Sequence, residues 1–142
     1  MEQKIKSNDK SEIKPDSIKI ENMKLETRED LNIFLKNSPT ENTFIKFGAT
    51  WCRPCQMIAP TIQSLNEQVI KAKKKLTYID LDVDNCSDLY AFMKQKKMVR
   101  GIPVIMCYKK SQYNADSFYA PSDSVTGASA QDVVNFYRRN IS

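Results

Sequence analysis

Phe47-Gly48-Ala49-Thr50-Trp51-Cys52-Arg53-Pro54-Cys55-Gln56-Met57-Ile58-Ala59-Pro60 is the stretch where this chain changes period. Before it, Phe44, Ile45 and Phe47 read as a buried strand over Thr43–Gly48. After it, Ile58, Ile62, Leu65 and Val69 fall on one stripe of a helix whose first turn suits Pro54. A C-x-x-C pair therefore stands where a strand meets a helix. Unpaired backbone N–H groups and the positive end of the helix dipole favour thiolate over thiol at Cys52, and Arg53 adds a permanent positive charge next to it. Cys52 is expected to be the attacking sulfur. Cys55, one turn on, is expected to be the more buried, and to displace Cys52 from a mixed disulfide by closing the internal bridge.

On either side of that stretch strands and helices alternate. Towards the amino terminus, Thr27 with Asp30 forms a capping pattern, and Leu31, Phe34 and Leu35 predict a short helix running to about Asn37. Ile18, Ile20, Met23 and Leu25 suit a short edge strand with a slip or bulge near Asn22. Towards the carboxyl terminus, Leu76–Val83 reads as a strand, Cys86–Lys97 as a helix and Ile102–Tyr108 as a strand. Ser124–Thr126 is a last short strand, and Ser129 with Asp132 caps a final helix carrying Val133, Val134, Phe136 and Tyr137. Pro60 lies inside the second helix, where it should kink it. Ser111–Asp123, polar with Tyr113, Phe118 and Tyr119, is expected to be an exposed loop without regular structure. This order predicts an α/β domain: a mixed sheet, parallel early and antiparallel late, with helices on both faces.

The bulk composition bounds the rest. A chain of 142 residues with 41% apolar content supports one globular domain with a real core. Residues 18–142 are expected to form it, and the Lys- and Glu/Asp-rich residues 1–17 to be a flexible extension. The 22 Lys and Arg against 17 Asp and Glu are interspersed in sign, which argues solubility and no nucleic-acid partner. The sharpest basic run, Lys71 with Lys73, Lys74 and Lys75, falls where a helix should end and complements its dipole. Met1–Lys10 lacks the apolar stretch of a secretory signal, and no segment approaches a membrane span. A reducing, cytoplasmic location is expected, where cysteines are catalytic or free rather than structural staples.

The C-x-x-C spacing also serves zinc knuckles and iron–sulfur clusters. Those need further ligands, and the chain has no histidine, while Cys86 and Cys107 make no second pair at ligand spacing. Neither a metal nor another cofactor is expected.

The segment Phe47–Pro60 together with Val99-Arg100-Gly101-Ile102-Pro103 resembles the active-site segment and the later proline loop of thioredoxins. The similarity continues through Lys75-Leu76-Thr77, Asp82-Val83-Asp84 and Gly127-Ala128, and covers roughly residues 18–142. The resemblance implies a thioredoxin fold and dithiol–disulfide exchange on protein substrates, with Cys52 and Cys55 as the redox pair. It implies a thioredoxin-reductase-type electron donor and a monomer. It also implies that Pro103 is a cis proline packed on that pair, that Ile102 offers backbone groups to a substrate strand, and that Trp51 is an apolar contact surface at the site.

Three positions depart from the family pattern. Arg53-Pro54 replaces the usual Gly-Pro between the cysteines, and a cation beside Cys52 stabilises the thiolate, so a somewhat more oxidising couple is expected. The family's buried acid six residues before the first cysteine is here Lys46, and Asp80 stands where a partner lysine is normally found. Acid and base thus exchange places, and the two are expected to pair beneath the disulfide, since a lone buried charge would cost several kcal/mol. Asp80 would then take the acid's part in proton transfer. Cys86 is expected near the same sheet end with some exposure and Cys107 in a strand, both in structural roles. A protein disulfide reductase is the leading reading. An oxidase or isomerase running the same chemistry at another potential is its rival, and a redox-silent binding module or glutathione-linked chemistry fits less well.

Overall fold

The computed structural model describes the backbone of residues 17–20 and residues 25–141. The charged segment before residue 17 and the slip expected near Asn22 lie outside the described residues. In chain order the elements are β1 (Ser17–Ile20), α1 (Arg28–Lys36), β2 (Asn42–Gly48), α2 (Arg53–Lys71), β3 (Leu76–Asp82), α3 (Ser87–Gln95), β4 (Val104–Lys109), β5 (Asp123–Thr126) and α4 (Ala130–Asn140).

The strands form one sheet in the order β1-β3-β2-β4-β5. β3 pairs parallel with both β1 and β2, whereas β4 pairs antiparallel with β2 and β5. Parallel neighbours need a long crossover, and α2 supplies it between β2 and β3. Side chains alternate between the two faces of the sheet. Ile45, Phe47, Ile79, Leu81 and Met106 pack with Leu31 and Leu35 of α1 and Leu89 and Met93 of α3. Phe44, Leu76, Tyr78, Ile105 and Cys107 pack with Ile58 and Ile62 of α2 and Val133 and Phe136 of α4. Because both faces are covered, the central strands are buried at most positions. Each side chain so buried is worth roughly 1.5–3 kcal/mol.

Local signals set the helix starts. The Thr27 hydroxyl accepts from Asp30 N–H while the Asp30 carboxylate accepts from Thr27 N–H, a complete capping box. Ser129 Oγ accepts from Asp132 N–H in the same way at α4. α2 runs from Arg53 to Lys71 as one helix with Pro60 inside it, where the missing N–H removes one intrahelical bond.

Several expected boundaries move. β3 stops at Asp82, whose carboxylate accepts from Asp84 N–H and opens a single 3-10 turn over Val83–Asn85. α3 is shorter than expected because Lys97 turns to φ 63° and ends it. β4 begins at Val104, leaving Ile102 and Pro103 in the loop before it. The segment after β4 is not a bare exposed loop. It holds 3-10 turns at Lys110–Gln112 and Ala115–Ser117, and Phe118 and Tyr119 are half-buried against Phe92 of α3. Their ring centroids lie 6.0 and 5.4 Å from that of Phe92. Local periodicity carries no trace of such a contact between residues more than twenty positions apart.

Candidate active site

β2 and β3 run parallel and end side by side, with Gly48 opposite Asp82. The chain leaves β2 through Ala49-Thr50-Trp51 and enters α2 at Cys52, its N-cap, with backbone at φ −88° and ψ 111°. Cys52 N–H donates to Ala49 O at 3.2 Å, and Gln56 Nε2 donates to Thr50 O at 2.7 Å, which fixes this turn. Cys52 Sγ sits where an N-cap oxygen would and accepts from Cys55 N–H at 3.2 Å. The sulfur thus faces the helix amino terminus directly. Cys52 and Cys55 are joined in a disulfide, with their Cα atoms 5.3 Å apart. Both residues are buried, 6% and 4% exposed, so Cys55 is the deeper by only a small margin in the oxidised form. Arg53 and Pro54 are exposed on the first turn.

The loop before β4 closes the other side. Ile102 is half-buried with its carbonyl oxygen 4.0 Å from Cys52 Sγ, and the Ile102–Pro103 bond is cis. Pro103 O accepts from Gly127 N–H at 2.8 Å, and Gly127 adopts φ 103°, a conformation that needs glycine. Trp51 is 66% exposed, and its Nε1–H donates to Asp84 at 2.8 Å, so the polar edge of the indole is tied to the turn that follows β3. Asp84 was not among the expected site residues. The Asp82-Val83-Asp84 motif was visible in the sequence, but its tie to an indole 33 positions earlier in the chain was not.

Lys46 and Asp80 are register partners on β2 and β3, on the face covered by α2. Lys46 Nζ lies 3.6 Å from Asp80 Oδ1, the lysine side chain 9% exposed and the carboxylate 44%. They line an open cleft of about 320 Å³ that also includes Gly48, Cys55, Ala59 and Asp82. Cys86, expected to keep some exposure, is 3% exposed instead, because it follows the turn at Asp84 inward and donates Sγ–H to Asp82 O at 3.3 Å. Burial, with Asp82, Glu26 and Asp84 nearby, pushes its thiol up to about 11. Cys107 is fully buried in β4, and burial pushes it up to about 11 as well.

The family model for thioredoxin matches residues 22–137. Thioredoxin from Equus caballus is 31% identical over 88 residues, which cover 62% of this chain and 76% of that one. Thioredoxin from Mus musculus is 32% identical over the same shares. Among solved structures, a Schistosoma mansoni thioredoxin is 25% identical with a TM-score of 0.61, covering 89% of this chain and 98% of that one. A Plasmodium falciparum thioredoxin, 23% identical, aligns over 92% and 93% with a TM-score of 0.62 and shares the fold. Sequence and architecture agree over nearly the whole described chain, and the protein belongs to the thioredoxin family as a thiol–disulfide oxidoreductase.

Proposed function

We propose that Cys52 is the nucleophile and Cys55 the resolving thiol of a protein disulfide reductase. The observation that carries this reading is Cys52 Sγ held at the α2 N-cap, bonded to Cys55 and bordered by Ile102. In the reduced protein the Cys52 thiolate attacks one sulfur of a substrate disulfide, forming a mixed disulfide and expelling the other substrate sulfur as a thiolate. The Cys55 thiolate then attacks Cys52 Sγ, the mixed bond breaks, and the second substrate thiolate leaves. Two electrons pass to the substrate, whose two thiolates take up the protons lost by the cysteines. Trp51 and Met57, 66% and 62% exposed, give a substrate chain an apolar landing surface beside the sulfurs. Ile102 backbone groups pair with an extended segment of that chain.

A reductase of the thioredoxin-reductase type restores the dithiol, and the protein works as a monomer in the cytoplasm. Among the described residues no helix is long and apolar enough to cross a membrane. Trapping tests the assignment of roles. Cys55→Ser incubated with insulin is expected to accumulate a dithiothreitol-sensitive adduct through Cys52, and Cys52→Ser to form none. An adduct through Cys55, or equal adducts in both variants, would reverse or remove the assignment.

A further inference from the structure

Lys46 is 7% exposed in a strand whose neighbours are apolar, which is costly for a charged side chain unless it has a task or a partner. Its partner Asp80 is largely in solvent, so the pairing alone gives little reason to bury the ammonium. Gly48 shows what else is near. A Cβ placed there would stand 3.5 Å from Lys46 Nζ and 3.4 Å from Cys55 Sγ, so the ammonium and the inner sulfur both come within contact distance of one point. They are at most about 7 Å apart, and because both residues are buried a unit charge is felt over that distance. With no side chain at Gly48, nothing from that position separates them.

We propose that Lys46 is a positioning residue for the resolving step, its ammonium holding Cys55 as a thiolate once Cys52 is engaged with substrate. This inference rests on the assignment of Cys52 as nucleophile and Cys55 as resolving thiol. In the mixed disulfide Cys55 carries the proton that must leave before it attacks. The proton passes to solvent through the open cleft, with Asp80 at its mouth. The thiolate left behind is stabilised by Lys46 until its electron pair forms the bond to Cys52 Sγ and the substrate thiolate departs. The charged groups facing Cys55 across the cleft are Lys46 from β2 and Asp80 and Asp82 from β3. Lys46 is the buried one; Asp80 is exposed and Asp82 half-buried, so water screens the two carboxylates more than the ammonium. Removing Lys46 and removing Asp80 should therefore shift the ionisation of Cys55 in opposite directions.

Stopped-flow reaction of the reduced protein with dithionitrobenzoate separates the two steps. The first thionitrobenzoate released reports attack by Cys52, and the second reports resolution by Cys55. In Lys46→Met the second phase is expected to slow about three- to tenfold at neutral pH, its midpoint rising by about 0.5 to 1 unit, with the first phase kept. Asp80→Asn is expected to move that midpoint downward, and Lys46→Arg to restore most of the rate. A second-phase profile unchanged in Lys46→Met would overturn the proposal, as would shifts of the same sign in Lys46→Met and Asp80→Asn. Should Lys46→Met fail to fold, the exposed Asp80→Asn decides alone, an unmoved or raised midpoint counting against the idea. A first phase independent of Cys52 would instead overturn the assignment of the nucleophile.

Discussion

Four cysteines in one small domain take two different fates, and their surroundings decide which. Cys52 sits at a helix N-cap at the rim of the fold, whereas Cys86 and Cys107 are enclosed, and burial raises both thiols to about 11. The ordinary thiol value is 9.0, so below it both groups are neutral in folded and unfolded chains alike. Between about 9 and 11 only the unfolded chain ionises, and stability falls as pH rises through that window. Native reduced protein at neutral pH is expected to take iodoacetamide at Cys52 and to leave Cys86 and Cys107 unlabelled until urea is added. Cys86→Ala is expected to show a shallower loss of stability over the alkaline window than the parent, followed by denaturant titration. Labelling of Cys86 at the rate of Cys52 would contradict the burial described for it. The pair Cys52 and Cys55 was legible at this scale because a strand period gives way to a helix period at those residues. The inward turn of Cys86 was not, since it follows from the Asp82–Asp84 turn and not from any neighbour in sequence.

At the scale of elements, the helix starts were written plainly, as were the end of α1 near Asn37 and the basic run where α2 stops, but the end of α3 was not. Thr27 with Asp30 and Ser129 with Asp132 are recognisable caps, and both form. α2 and α3 end instead with lysines in the left-handed region, Lys73 at φ 57° and Lys97 at φ 63°. Lys74 N–H donates to Val69 O and Lys73 N–H to Ile70 O; Met98 N–H donates to Met93 O and Lys97 N–H to Lys94 O. These are paired closing bonds usually built around glycine, and a lysine there bears the strain that a Cβ brings. Without a glycine to mark the stop, the sequence predicts α3 as far as Lys97, two residues beyond its end at Gln95. Lys73→Gly and Lys97→Gly are each expected to raise unfolding free energy by about 0.5–1 kcal/mol, since relief of strain outweighs the added freedom of the unfolded chain. Urea denaturation measures it, and a loss of stability in both variants would contradict the strain.

Across the whole molecule, the alternation of strands and helices foretold a mixed sheet covered on both faces, because buried parallel strands and amphipathic helices each leave a periodic mark. Segment 110–122 left no such mark. Its place against α3 depends on Phe118 and Tyr119 meeting Phe92, with Lys96 5.1 Å from the centre of the Tyr119 ring, contacts between residues far apart in the chain. The fold brings the ends of two parallel strands, a helix amino terminus and the loop at Ile102 to one rim, where the two sulfurs stand. Reduction of insulin by dithiothreitol, followed by the turbidity of the freed chains, tests their chemistry most directly. Catalytic amounts of the protein are expected to shorten the lag and steepen the rise, and Cys52→Ser to return the trace to that of dithiothreitol alone. A parent protein with no effect, or a Cys52→Ser variant as fast as the parent, would contradict the account.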